Sequence, residues 1–393
     1  MEMLLEQSPA EAELLQKLTK DLKASSLLLS RDEARYLVRM YYQIQDYRVQ
    51  AAGQVRADDE SPNALLNFVL TNMRRLENNI KLALGVFADS YAVGHWLQSI
   101  CGIGDVISAG LLAHLDVEGC PTAGHFWSFA GLDPRSRWIS AKDALAAVKK
   151  MYPGEKSLTK EQAFLVARSL GKQWKGETRT IPAAQVAKIL SKRPWSKELK
   201  TLVVYKAGEC FVKFQNHRLD FYGHLFVERR ESEWKRNMSG GLAYQCKAAL
   251  GDEEEMVRCH EEGYSIVSKD YGDQTPTRAW MEGRLTRQQA EEFLLLENEQ
   301  KLPFVTKCAK QPIDFGVRML SPAHIHARAR RWTTKMFLSH LHHAMHLDYY
   351  GKEPPVPYAM AKLPGDHRHY IPPPNLSELK GKSLRDLQTE KEP

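Results

Sequence analysis

From Leu66 to Phe87 the apolar residues Leu66, Val69, Met73, Leu76, Ile80, Ala83 and Phe87 alternate three and four apart over three heptads. Only an α-helix lines up residues at that spacing; a strand would scatter them over two faces. Ser61 and Pro62 precede the run as an N-cap and a first-turn proline do, so the helix is expected to start there. A seam of this kind packs against a second helix, in the same chain or in another copy. Upstream, Ser30 and Glu33 form a capping-box signal, and Ala34, Leu37, Val38, Tyr41 and Ile44 continue at helical spacing. Residues 1–95 therefore read as a helical arm with no run of strand formers.

The stretch LQSICGIGDVISAGLLAHL, Leu97 to Leu115, places Gly102 and Gly104 around Ile103 between two helix-like runs. Glycines allow a tight turn with no Cβ in the way, and the helix that follows begins with free backbone N–H groups. Those donors, with the positive end of the helix dipole, suit a phosphate oxygen. Such a contact positions a duplex without reading its sequence. The spacing Ile-x-Gly-Ile-Gly, then a small residue (Ala109) five positions on, is the helix-hairpin-helix pattern. A two-glycine turn also serves as a packing device, and Ala109 and Gly110 supply small residues for close helix contact. Asp105, at the start of the second helix, would repel a phosphate. From the residues alone both readings stand.

Charge is uneven along the chain. The net charge is +7, yet no acid occurs between Asp314 and Asp348, where Arg318, Arg328, Arg330, Arg331 and Lys335 fall. A second basic run, KILSKRPWSKELK, spans Lys188 to Lys200 with Glu198 as its one acid, and contains Lys197 and Lys200. Acids gather elsewhere, as in GDEEE at Gly251–Glu255. Local basic surfaces on a nearly balanced chain are an electrostatic footprint of nucleic-acid binding; the plain alternative is a solvated helix face. Arg328, Arg331 and Lys335 recur at i, i+3 and i+7, which puts them on one helix face with Trp332, Met336 and Phe337 on the buried side. Eight of the fourteen histidines lie between His324 and His369. His342 and His346 have the spacing of two metal ligands, but no glutamate completes an HExxH motif and no metal site is expected. These histidines are read instead as joining the arginines along a groove. Asp220, Tyr222 and Glu228 are read as a helical core element with a charged outer edge.

Two further segments look like insertions. Residues 141–192 carry SAKDALAAVKKM, LTKEQAFLVARSLG with Thr159 and Gln162 as a capping pair, and TIPAAQVAKIL, all helical patterns. Residues 251–312 form an acidic insertion containing LTRQQAEEFLLLENEQK. Between them, residues 193–250 open on an amphipathic helix with Leu199, Leu202, Val203, Ala207, Cys210, Phe211 and Phe214 on one side. Residues 313–350 are the basic, histidine-rich helix, and the proline-rich tail 351–393 (PPVPY, IPPP) is expected to be extended or poorly ordered. No apolar run of about 18 residues suggests a membrane span. The early acids argue against a signal peptide, and six cysteines without a CxxC pair suit reduced thiols. A cytoplasmic, nucleoid-associated protein is the expectation.

Four blocks then occur in order: GIGDVISAGLLAHL, FWSFAGLDPRSRW, RPWSKELKTLVVYKAGECFVKFQNHRLDFYGHLFVERR and PAHIHARARRWTTKMFLSHLHHAM. Together they resemble the C-terminal transposase domain of the DEDD insertion-sequence transposases, the bridge-RNA-guided recombinase group. The resemblance implies a mostly α fold: a helix-hairpin-helix transposase domain (96–140, 193–250 and 313–350), an N-terminal helical, coiled-coil arm and two helical insertions. It implies double-stranded DNA as partner through Gly102, Ile103, Gly104, Arg135, Arg137, Lys197, Lys200, Arg328, Arg331 and Lys335. A structured non-coding RNA, a homo-oligomer through the heptad helix, and Mg2+ in an active enzyme are implied as well. The family's N-terminal RNase H-like domain with its acidic residues is not recognisable in this chain. Its nucleophilic serine follows the GL-x-P segment, which makes Ser136 and Ser140 the nearest candidates and Ser196 a third. Arg135 and Arg137 flank Ser136, as phosphate-neutralising groups would. The function implied is DNA transposition or recombination for a mobile element or phage. The alternative is a repurposed DNA-binding protein that kept the hairpin and lost strand cleavage.

Overall fold

The computed structural model describes residues 20–57 except Leu22, 63–133, 138–172, 174, 176, 179–262 except Leu219, 264, 266, 268–312, 316–355 and 370–389. Arg135, Ser136 and Arg137 lie outside the described residues, as do Ser61, Pro62, Asp314, His367 and His369. The fold is mostly α, and among the described residues the one sheet has two strands. No described helix is long and apolar enough to cross a membrane. The chain divides into two compact units, each assembled from separate stretches of sequence.

The first unit comprises residues 1–126, 201–227 and 330–393. Helix α1 (Arg31–Ala57) starts at the Ser30–Glu33 box: the Ser30 N–H donates to Glu33 Oε2 at 2.8 Å and the Glu33 N–H to Ser30 Oγ at 3.3 Å. Helix α2 (Ala64–Asp89) is capped by Asn63, whose side chain accepts from the Leu65 N–H, two residues later than the Ser61 signal suggested. The two helices pack along each other, and both pack on α4 (Asp105–His114). The seam of α2 follows the apolar line read from the sequence in its second half, where Ile80, Ala83 and Phe87 are buried, and departs from it in the first. Leu66 and Leu76 are exposed, whereas Leu70, Glu77, Ile80, Leu84 and Phe87 are buried. Glu77 takes a seam position because Arg48 pairs with its carboxylate and Gln45 Nε2 donates to it at 3.2 Å. A search for apolar residues alone could not find it.

Helix α3 (Ala92–Gln98) follows α2 so closely that a Cβ on Gly94 would stand 1.8 Å from the Ala88 carbonyl oxygen. Trp96 at its centre is fully buried, stacks on Phe337 and donates from Nε1 to the Pro374 carbonyl at 2.7 Å. Phe211 and Tyr222 pack edge-on against the same Phe337 ring. Each of these buried aromatics contributes roughly 2 kcal/mol of transfer free energy. Residues Thr201–Ala207 wind as a π-helix into α10 (Gly208–Lys213). Gly208 lies so close to Thr334 that a Cβ there would sit 2.9 Å from its hydroxyl. The proline-rich tail is not loose where it is described: Tyr370–Thr389 returns along the unit. Asn375 donates to the Ser99 carbonyl at 3.2 Å, the Ala92 N–H donates to Lys382, and the Leu384 N–H donates to Asp348 at 2.7 Å.

The second unit comprises residues 127–200 and 228–329. Its first part folds around a small core of its own: α6 (Ala141–Met151), β1 (Ser157–Thr159), α7 (Lys160–Ser169), β2 (Thr180–Pro182) and α8 (Ala183–Leu190). The strands pair antiparallel with Leu158 opposite Ile181, both buried. Three-residue strands are too short to show a period of two, which is why this insertion read as helical only. The Thr159–Gln162 pair forms the expected capping box. The second part, from α11 (Phe221–Met238) through α12 (Ala243–Leu250) and α13 (Glu253–Glu261) to α16 (Asn298–Ala309), packs Trp234, Trp280, Phe293 and Ile325 together. Here α14 (Pro276–Glu282) and α15 (Arg287–Leu295) intervene; of α11 only residues 228–238 belong to this unit, and of α17 (Pro322–Tyr350) only residues 322–329.

Candidate nucleic-acid interface

The hairpin turn is built by local hydrogen bonding. The Ser99 N–H donates to the His95 carbonyl at 3.0 Å, Ile100 to Leu97 at 3.1 Å and Ile103 to Ile100 at 3.0 Å. Gly102 then takes φ +84°, a conformation closed to most L-residues. A Cβ on Gly102 would lie 2.7 Å from Cys210 Cβ and 2.9 Å from the Phe214 ring. Gly104 is the N-cap of α4 at φ −102°, is exposed, and has open space where a Cβ would be. The two glycines therefore do different work. Gly102 is the packing device, and Gly104 offers an unobstructed helix start with no side chain capping it. Asp105 does not stand over that start unengaged: it accepts from Gln98 Nε2 at 3.4 Å and lies against Gly85. Ile103 and Val106 to Ala113 are buried, which fixes the turn to the core.

Beside the turn, Ser99, Ile100 and Cys101 line a cleft of about 300 Å³ with Arg218, Asp220 and His224. Asp220 is fully buried, not the outer edge read from the sequence. Its Oδ1 accepts from the Gly223 N–H at 3.0 Å at the start of α11, while Oδ2 has no partner among the described residues. Burial pushes this carboxyl above the usual carboxylate range. Tyr222 is buried as well, hydrogen-bonded to His340 Nδ1 at 2.9 Å, and Glu228 alone of the three is exposed. Arg218 and His224 carried no pattern in the sequence, because a turn and a helix start distant from the hairpin bring them to it.

The described candidate serines are both engaged as caps. Ser140 Oγ accepts from the Asp143 N–H at 3.1 Å and donates to Asp143 Oδ2 at 2.6 Å, starting α6. Ser196 Oγ accepts from the Leu199 N–H at 3.2 Å at the start of α9 (Lys197–Lys200). Ser140→Ala is expected to lower stability by about 1 kcal/mol through loss of the cap. A urea titration of both proteins checks this, and an unchanged midpoint would contradict the capping role.

The basic residues separate into two kinds. Lys197 and Arg331 are exposed, and Lys335 is half-buried. Lys200 lies 4.7 Å over the Trp195 ring. Arg328 is different: Nε donates to Glu233 at 2.8 Å, Nη1 donates to Gln245 at 2.7 Å, and the guanidinium lies over Tyr264. Only 14% of its side chain is exposed. It is a packed ion pair, not a residue lining an open groove. Glu233 is 2% exposed and also pairs with Arg229. Burial pushes its carboxyl up, but Arg328 and Arg229 outweigh this and hold it below the usual range.

The histidines of α17 likewise face inward. His340 Nε2 is hydrogen-bonded to the Ile371 carbonyl, His342 Nε2 to the Cys120 carbonyl and His346 Nδ1 to the Lys352 carbonyl, each at 2.9 Å. His342 and His346 thus turn to separate backbone oxygens. Among the described residues no group of three His, Cys, Asp or Glu side chains is gathered for a metal ion. Burial lowers His340 to about 4, and burial also lowers His342 and His343. Unfolded, these rings take protons near pH 6.5, so the unfolded chain binds more protons below that pH. Stability is therefore expected to be full above about pH 6.5 and to fall steadily toward pH 4. Thermal melts across that window check this, and a flat profile would refute it.

Residues 94–146 match the model of the Transposase IS116/IS110/IS902 family. The matched stretch runs from within α3 through the Gly102–Gly104 turn and α4 to the first half of α6. No curated protein and no solved structure matches the chain.

Proposed function

We propose that this is a transposase-like, DNA-binding protein of a mobile element or phage, acting in DNA transposition or recombination. The observation that carries the reading is the coincidence of the transposase match with the hairpin, whose exposed Gly104 leaves the start of α4 open to a phosphate oxygen. The turn would hold a duplex by its backbone, with Arg331 of the same unit adding exposed positive charge. If strand cleavage survives, Ser136, flanked in the sequence by Arg135 and Arg137, is the proposed nucleophile, since Ser140 and Ser196 are engaged as helix caps. Its hydroxyl would form a bond to phosphorus as the P–O bond to the leaving nucleotide breaks and that oxygen takes up a proton. The second reading is a repurposed DNA-binding protein that kept the hairpin and lost strand cleavage.

Fluorescence anisotropy with a labelled duplex over a salt series tests the binding. Affinity is expected to fall linearly in log–log form with a slope of several units. Binding that ignores salt, or none at all, would remove the reading. An excision assay with element ends, comparing the wild type with Ser136→Ala, separates cleavage from binding alone.

A further inference from the structure

Residues 127–200 hold sixteen lysines and arginines against six acids, a surplus of ten in a chain whose net charge is +7. The remainder of the same unit, residues 228–329, holds fifteen against seventeen. The two parts also use their cations differently. In the second, Arg229, Arg258, Arg278, Arg284, Arg287 and Arg328 all sit in ion pairs. In the first, Lys149, Lys150, Lys188 and Lys192 are exposed, and none forms an ion pair with a described residue.

The fold explains why these lysines point outward. Helix α8 buries Val186, Ala187 and Leu190, which leaves Lys188 on the opposite side, and Lys192 is exposed just past its C-cap. Helix α6 buries Ala144 and Val148 and ends on Lys149 and Lys150, and it packs side by side with α8. The end of α8 is held rigidly: Trp138 Nε1 donates to the Ser191 carbonyl at 2.8 Å, and the Lys172 ammonium donates to the Leu190 carbonyl. Arg193 covers the Trp138 ring at 4.7 Å, and Lys200 covers Trp195 at the same distance. Both indoles thus have a face already occupied by a cation, whereas a single strand would want free aromatic faces for its bases. Exposed ammonium groups without an ion-pair partner among the described residues suit the backbone of a duplex.

We propose that the insertion formed by α6, β1, α7, β2 and α8 is a separate backbone-binding surface for duplex DNA, with Lys149, Lys150, Lys188 and Lys192 on phosphates. The inference rests on the DNA-binding reading above and adds a surface remote in sequence from the hairpin turn. Its test is the full-length chain carrying Lys149→Gln, Lys150→Gln, Lys188→Gln and Lys192→Gln together. With labelled duplex DNA, the log–log salt slope is expected to fall by about 2–4, at about 0.9 for each phosphate no longer neutralised. A quadruple arginine variant should keep the wild-type slope, and matched thermal melts show that folding is intact. If the wild type binds duplex and the glutamine variant binds with the same slope, the inference is overturned while the DNA-binding reading stands. If the fall in slope appears only with an RNA hairpin of matched length, the assignment to DNA is overturned. A wild type that binds no duplex overturns both.

Discussion

Gly102→Val is expected to destabilise the first unit by about 2–5 kcal/mol, whereas Gly104→Ala should leave its stability within about 0.5 kcal/mol. The contrast separates the two glycines that look equivalent in the sequence. At Gly102 two costs add. The backbone sits at φ +84°, where a β-branched residue is strained by about 1–2 kcal/mol. The new side chain would also meet Cys210 Cβ at 2.7 Å and the Phe214 ring at 2.9 Å, an overpacking cost of about 1–3 kcal/mol or more. Gly104 has neither problem, with φ −102° and nothing near its missing Cβ. Urea unfolding measures both effects. If Gly104→Ala weakens duplex binding while its unfolding midpoint holds, the exposed glycine serves the ligand and the buried one serves the fold. Equal destabilisation by the two substitutions would contradict this division.

Arg328→Ala is expected to cost about 3 kcal/mol, and Arg331→Ala less. The two arginines lie three residues apart on α17, and by spacing they belong to one basic face. Arg331 is exposed, but Arg328 is folded onto Glu233, Gln245 and Tyr264. Removing the guanidinium leaves the buried Glu233 carboxylate with Arg229 as its remaining cation, and losing one partner of a buried pair costs about 3–5 kcal/mol when no other partner remains. Arg328→Ala should therefore shift the thermal midpoint at neutral pH, and its loss of DNA affinity should follow its loss of folded protein. Arg331→Ala should lower affinity with a smaller shift of the midpoint than Arg328→Ala. Calorimetry beside anisotropy distinguishes these, and an unaltered midpoint for Arg328→Ala would show that the pair adds no stability.

What was legible in the sequence was local chemistry. The Ser30–Glu33 and Thr159–Gln162 boxes can be read because both halves of a reciprocal hydrogen bond lie three residues apart. The hairpin could be read because a glycine pair between apolar helices leaves few alternatives. What escaped was anything decided by a partner far along the chain. Glu77 looks like a surface acid until Arg48 and Gln45 meet it, and Arg328 looks like a surface cation until Glu233, 95 residues earlier, meets it. His340 and His342 looked like groove residues, yet backbone carbonyls of other segments hold them in the interior. Polar residues bury when a distant donor or acceptor satisfies them, and a periodicity of apolar residues carries no record of that.

The tail that returns to the hairpin also bears on how the chain comes to fold. Trp96 and its acceptor Pro374 are separated by 278 positions, and Asn375 reaches Ser99 across 276. Contacts of such separation form late, because a long loop must close before they repay its entropy. During synthesis the hairpin emerges early, yet its indole and its turn find their acceptor and donor only when residues 370–389 have left the ribosome. The hairpin then depends on a segment 276–278 positions downstream for its last fastening. A nascent chain arrested before Pro374 should therefore leave the hairpin exchanging its amide protons quickly, and release should slow that exchange.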